Sequence, residues 1–106
     1  DDEPYWNNYF GKDGMAKNVR SLAYTMLPPD EPSKQTVAWC VQRADSGRGV
    51  GIVMPHYFRN WKVGPLRTLV LNAICWTAKL DIPAGGVQAS LPDLSTFESG
   101  SVEPPR

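Results

Sequence analysis

Apolar and polar positions alternate over residues 36–43. Val37, Trp39 and Val41 fall on one face, and Ala38, Cys40 and Gln42 on the other. A period of two is the spacing of a sheet strand, and it predicts that the face carrying Trp39 is core. The earlier run Val19–Leu27 is β-branched and aromatic enough for another strand. The sequence Pro28-Pro29-Asp30-Glu31-Pro32 ends it, because proline has no N–H to give to a ladder. Asp45-Ser46-Gly47-Arg48-Gly49 is turn chemistry, and the apolar run 50–54 behind it makes a hairpin with the 36–43 strand. Gly51 inside that run points to a close neighbour or a bulge.

From Pro65 the period changes. Leu66, Leu69, Val70, Ala73, Ile74, Thr77 and Leu80 fall on the i, i+3, i+4, i+7 spacing of a helix lying on a sheet. Pro65 suits the first turn, where its missing N–H costs nothing, Lys79 suits the negative end of the dipole, and Pro83 stops further propagation. The spacing predicts a helix over 65–80, packed through that stripe on the sheet. Leu71, Cys75 and Trp76 widen the apolar arc, which implies a second covering surface. After Ala84-Gly85-Gly86 the composition turns to Ser, Pro, Asp, Glu and Gly without periodicity, an extended and poorly ordered tail.

At 106 residues the chain supports one hydrophobic core. Eleven Lys and Arg balance eleven Asp and Glu, which removes the basic footprint of a nucleic-acid binder or a polybasic membrane binder. The uncharged stretch 68–78 is too short to span a bilayer. The start, Asp1-Asp2-Glu3-Pro4, carries no targeting pattern and reads as cut from something longer. Cys40 and Cys75 lack metal-type spacing and each sits in an apolar element. They read first as free, buried, small hydrophobes, with a disulfide and then a metal site as the alternatives.

The single histidine, His56, follows Met54-Pro55 at the carboxyl end of a predicted strand, where ligands of open α/β sheets gather. Pro55 turns the stretch 56–61 into a loop bearing an imidazole, a guanidinium, an amide and aromatic rings. No Gly-x-Ser-x-Gly elbow exists for a serine triad. Gly47-x-Gly49-x-Gly51 precedes a strand instead of opening a helix, so it is hairpin turn and not a phosphate loop. The acidic groups Asp1-Asp2-Glu3 and Asp30-Glu31 lack calcium-loop spacing and read as solvated loop charge. With one histidine, no metal and no cofactor is implied. Tyr5, Trp6 and Tyr9 early, and Tyr57, Phe58 and Trp61 late, are rings that either close a core or stack on sugar faces.

Five segments taken in order resemble the C-terminal half of the ThuA-like, or trehalose-utilisation, family of the class I glutamine-amidotransferase-like superfamily. They are Thr36-Val37-Ala38-Trp39, Gly47-Arg48-Gly49-Val50-Gly51, His56-Tyr57-Phe58-Arg59-Asn60-Trp61, the helical Leu66-to-Trp76 pattern and Ile82-Pro83-x-Gly85-Gly86-Val87. Asp2-Glu3-x-Tyr5-Trp6 is similar to the family's acidic-aromatic segment. The resemblance implies an α/β chain, part of a flavodoxin-like three-layer fold. Strands and a hairpin are followed by one C-terminal helix, with 1–87 a partial domain and 88–106 an extended tail.

The resemblance also implies a site. His56 falls on the family's histidine and is the candidate catalytic residue, and Glu3, Tyr5, Tyr57, Asn60 and Trp61 are candidate substrate-binding residues. Met54-Pro55 stands where the family commonly has Gly-Gly, and Phe58 where it has a second histidine, which weakens a two-histidine site. A role in carbohydrate metabolism follows, with a sugar as ligand and the reaction unassigned. The implied partner is a second copy of the chain or a missing N-terminal half, either of which would cover exposed strand edges. The alternative is a non-catalytic interaction or assembly module on the same scaffold.

Overall fold

The computed structural model describes residues 1–97. Strands and helix are mixed, as expected of an α/β chain, and the chain falls into two compact units. Pro4–Met54 forms one; Asp1–Glu3 and the chain from Pro55 onward form the other.

The first unit is a three-stranded antiparallel meander. It comprises β1 (Val19–Leu27), β2 (Ser33–Gln42) and β3 (Arg48–Ile52), in the order β1-β2-β3. β1 has the predicted bounds. β2 begins earlier than the alternation suggested, because Ser33, Lys34 and Gln35 pair with Leu27, Met26 and Thr25 across the Pro-rich turn. β3 begins and ends two residues before the predicted run, since Arg48 and Gly49 already pair with Gln42 and Val41.

The expected separation of β2 into a core face and a second face does not hold. Val37 and Ala38, neighbours in sequence, are both buried, while Trp39 and Val41 are half-buried. The cause is in the ladder. Pairing runs Ser21 to Trp39, then Ala23 to Ala38, then Tyr24 to Thr36, so Leu22 is extra on β1 and Val37 is extra on β2. The two irregularities cancel, and strict alternation is interrupted where the core residues sit. On β1 the larger apolar side chains Leu22, Tyr24 and Met26 are exposed, with Ala23, Thr25 and Leu27 half-buried between them.

Gly51 has the close neighbour its position suggested. It pairs directly with Trp39, and a β-carbon there would collide with the indole. Phe10 also meets that indole edge-on, with ring centroids 5.0 Å apart. The segment before β1 is tied to β2 by Asn7 N–H donating to Gln35 Oε1 (3.0 Å) and Asn8 Nδ2 donating to the Thr36 carbonyl (3.2 Å). In the β2–β3 turn the Asp45 carboxylate accepts from Gly47 N–H (2.9 Å) and from Arg43. These bonds hold the Asp45 carboxyl below the usual aspartate range.

The second unit carries one helix, α1 (Gly64–Thr77), with Pro65 in its first turn. It ends before the predicted Leu80. Lys79 adopts φ 60°, its N–H bonds the Trp76 carbonyl (3.1 Å), and Leu80 N–H bonds the Cys75 carbonyl (2.9 Å). This is a Schellman terminus with lysine where glycine is usual. Lys79 therefore closes the helix through its backbone, and Pro83 is not the stop. No residue of α1 is buried, and Ile74, assigned above to the packed stripe, is 58% exposed. Leu66, Leu69, Val70 and Ala73 of that stripe are half-buried, and so are Leu71, Cys75 and Trp76. Cys40 and Cys75 are both free and only half-buried.

Past α1, Gly86 sits at φ +78°, where a side chain would strike Thr68, and Val87 N–H donates to Asn72 Oδ1 (2.8 Å). The expected formless tail is partly folded. Leu94–Thr96 forms a 3-10 turn capped by Asp93, and Phe97 meets Phe58 edge-on at 5.6 Å. The remainder of the predicted tail, 98–106, lies outside the described residues. Among the described residues no helix is long and apolar enough to cross a membrane.

Candidate functional site

β3 ends at Ile52, Val53 N–H still donates to the Val37 carbonyl (3.0 Å), and from Pro55, which has no N–H to give, the chain runs as a loop. Three residues after Pro55 it tightens into a 3-10 helix, Phe58–Lys62, preceded by Tyr57 in extended conformation. Asn60 N–H bonds the Tyr57 carbonyl (3.0 Å) and Val63 N–H bonds the Asn60 carbonyl (2.9 Å). Arg67 then reaches back from α1 to the Trp61 carbonyl at 2.6 Å. His56 is therefore displayed at the mouth of a short, internally bonded loop.

The acidic N-terminal residues join this loop, across more than fifty positions of sequence. Asp2 Oδ1 accepts the backbone N–H of His56 (2.9 Å) and of Tyr57 (3.3 Å). Asn60 Nδ2 donates to the Asp1 carbonyl (2.9 Å), and Arg59 lies 3.4 Å from the Asp1 carboxylate. Glu3 brings its carboxylate to 4.0 Å from His56 Nε2, with both side chains about half exposed. An exposed pair of this kind contributes only about 0–1 kcal/mol to stability. Its interest is chemical, because a carboxylate that orients an imidazole is the arrangement of an acid–base pair.

The candidate residues divide sharply. His56, Glu3, Tyr57 and Asn60 are brought together, and Trp61 is in the same loop, half-buried. Tyr57 is 1% exposed, with His56 edge-on to its ring at 5.0 Å and the Arg59 guanidinium 4.0 Å over it. Both neighbours cover the ring, so it serves as the floor of the site and has no face open for a sugar. Asn60 spends its amide N–H on the Asp1 carbonyl, which makes it a fastener of the loop as well as a candidate contact. Tyr5 belongs to the other unit and is 74% exposed. Phe58 packs edge-on against Phe97.

Sequence reasoning missed Asp2 and Arg59. Asp1-Asp2-Glu3 reads as solvated charge because nothing local distinguishes a carboxylate that will accept distant backbone N–H groups from one that will face water. Arg59 also lines a cavity of about 380 Å³, together with Lys62, Leu91, Pro92, Asp93, Leu94 and Ser95. Among the described residues no group of three or more His, Cys, Asp or Glu could hold a metal ion. Comparison of the chain with protein-family models, curated proteins and solved structures gives no match.

Proposed function

We propose that this chain is the C-terminal part of a ThuA-like domain and serves carbohydrate metabolism by binding a mono- or disaccharide at the His56 loop. On this reading the antiparallel meander and α1 belong to a flavodoxin-like three-layer fold, whose parallel half adjoins a free edge of the sheet. That missing N-terminal half, or a second copy of the chain in its place, covers the exposed strand edge. The observation that carries the reading is the approach of Glu3 to His56 within a site fastened by Asp1 and Asp2. It joins two of the motifs that the resemblance rests on, the acidic-aromatic segment and the histidine loop. His56 acts as proton donor and acceptor toward a sugar hydroxyl, Glu3 orients the imidazole, and Asn60 and Trp61 flank the ligand.

The test is a paired thermal melt and titration with glucose and trehalose on the wild type and His56→Ala. Sugar binding by the wild type, lost in a variant that melts normally, is the expected result. A variant of lowered stability whose parent binds neither sugar retires the reading.

One observation favours the interaction module as a second reading. Phe58 is committed to Phe97, while Leu22, Tyr24 and Met26 leave an apolar strip exposed on β1. An apolar strip on an edge strand is a surface that a partner strand or chain can cover.

A further inference from the structure

A carboxylate that accepts two successive backbone N–H groups fixes the path of the chain at that point, because both donors must aim at one oxygen. Asp2 Oδ1 does this for His56 and Tyr57, at 2.9 and 3.3 Å. The second of these residues is the buried ring on which the His56 imidazole rests edge-on. The same three-residue segment fastens Asn60 through the Asp1 carbonyl, and it carries Glu3 to His56. One side chain thus sets two things at once: the direction in which the backbone presents His56, and the distance of the Glu3 carboxylate from its Nε2.

We infer that Asp2 is the positioning residue of the His56 site, a clamp that holds the loop and the Glu3 carboxylate in one arrangement. This rests on the reading of His56 as the group that meets the ligand. Asp2 itself touches no ligand in this role. Its oxygen is occupied by the two N–H groups, and its effect reaches the sugar only through His56 and Glu3.

The test compares wild type, Asp2→Ala and Asp2→Asn, the last keeping a carbonyl oxygen where the carboxylate oxygen was. Amide hydrogen exchange at His56 and Tyr57, the thermal melt and glucose affinity are measured on each. In Asp2→Ala the two amides should exchange at least about tenfold faster, as expected when a hydrogen bond to a charged acceptor is lost. Amides of β2 should not change, and glucose affinity should fall about tenfold. Asp2→Asn should restore most of both.

Unchanged exchange at His56 and Tyr57 overturns the clamp, and fast exchange with unaltered glucose affinity overturns the positioning role. If the Ala variant melts early, Asp2→Glu keeps the charge and displaces the oxygens by one methylene. Fast His56 and Tyr57 amides in that folded protein support the clamp, and protected ones overturn it. A wild type that binds no sugar fails the functional reading alone, and the exchange data then decide the clamp by themselves.

Discussion

Gly51→Ala adds one methyl group where the Trp39 indole already lies. An ideal β-carbon at Gly51 would stand 2.8 Å from Trp39 Nε1 and closer still to two ring carbons, inside any tolerable contact. The indole cannot swing away freely, because Phe10 holds it edge-on at 5.0 Å. Overpacking of this kind costs about 1–3 kcal/mol, and loss of the Phe10 contact adds about 0.5–1.5 kcal/mol. Gly51 is not among the positive-φ residues, so alanine recovers roughly 0.4–1 kcal/mol by restricting the unfolded chain. The net is a loss of about 0.5–4 kcal/mol, or a fall in Tm of roughly 2–30 °C at about 4–8 °C per kcal/mol.

Thermal melts followed by circular dichroism read this directly. Gly85→Ala is the control, with nothing within 4 Å of its β-carbon and no positive φ, so it should gain about 0.4–1 kcal/mol. Trp39→Leu combined with Gly51→Ala should lose less than the two changes taken separately, because the clash disappears with the ring. A Gly51→Ala protein as stable as the wild type would refute the placement of Trp39 over β3.

Three further outcomes are expected. Lys79→Gly relieves a left-handed residue at the α1 terminus, φ 60°, and should stabilise the protein by about 0.5–1 kcal/mol in urea unfolding; a loss of about 1 kcal/mol, as for glycine in a helix interior, would contradict the Schellman terminus. Gly86→Ala forces alanine to φ +78° against Thr68 and should cost about 1–3 kcal/mol, with loss of exchange protection at Val87 N–H; retained protection would argue against the Asn72 contact. Asp93, whose carboxyl is held below the usual aspartate range by the Ser95 hydroxyl and then by Ser95 N–H, stabilises its turn fully above the unfolded carboxyl pKa and loses that contribution as pH falls through the lower folded value; amide shifts of Ser95 and Thr96 should follow that acid titration, and shifts that ignore it would show the cap is not formed.

The strands, the hairpin turn and the helix were legible because their signals are local. Proline stops β1, Asp45 and Gly47 make the turn, and the period change at Pro65 starts α1. The close neighbour of Gly51 was legible too, since a glycine in a strand leaves few other readings. The core was read less well. Strict alternation assigned Val37, Trp39 and Val41 to it; Val37 is buried as expected, but the paired irregularities at Leu22 and Val37 bury Ala38 of the opposite set beside it and leave Trp39 and Val41 half-buried. Such irregularities depend on which strand pairs with which, and no single strand carries their signature. The helix end was misplaced because a lysine in left-handed conformation has no sequence mark. At the site, His56 stood out through its position after Pro55, whereas Asp2 did not. Its two bonds join groups 54 and 55 residues away, a distance across which composition and spacing say nothing. Tyr57 was read both as a core ring and as a candidate substrate contact, and it is buried; the sequence cannot show which face of a loop ring its neighbours cover.

Whether Asp1–Glu3 and the His56 loop form one sugar site is decided most directly by titrating isotope-labelled protein with glucose and trehalose and following every backbone amide by NMR. Saturable shifts confined to Asp2, Glu3 and residues 56–61, moving with a single affinity and abolished by His56→Ala, are the predicted result. Shifts that fall elsewhere, or no saturable shift up to the solubility limit of either sugar, would contradict it.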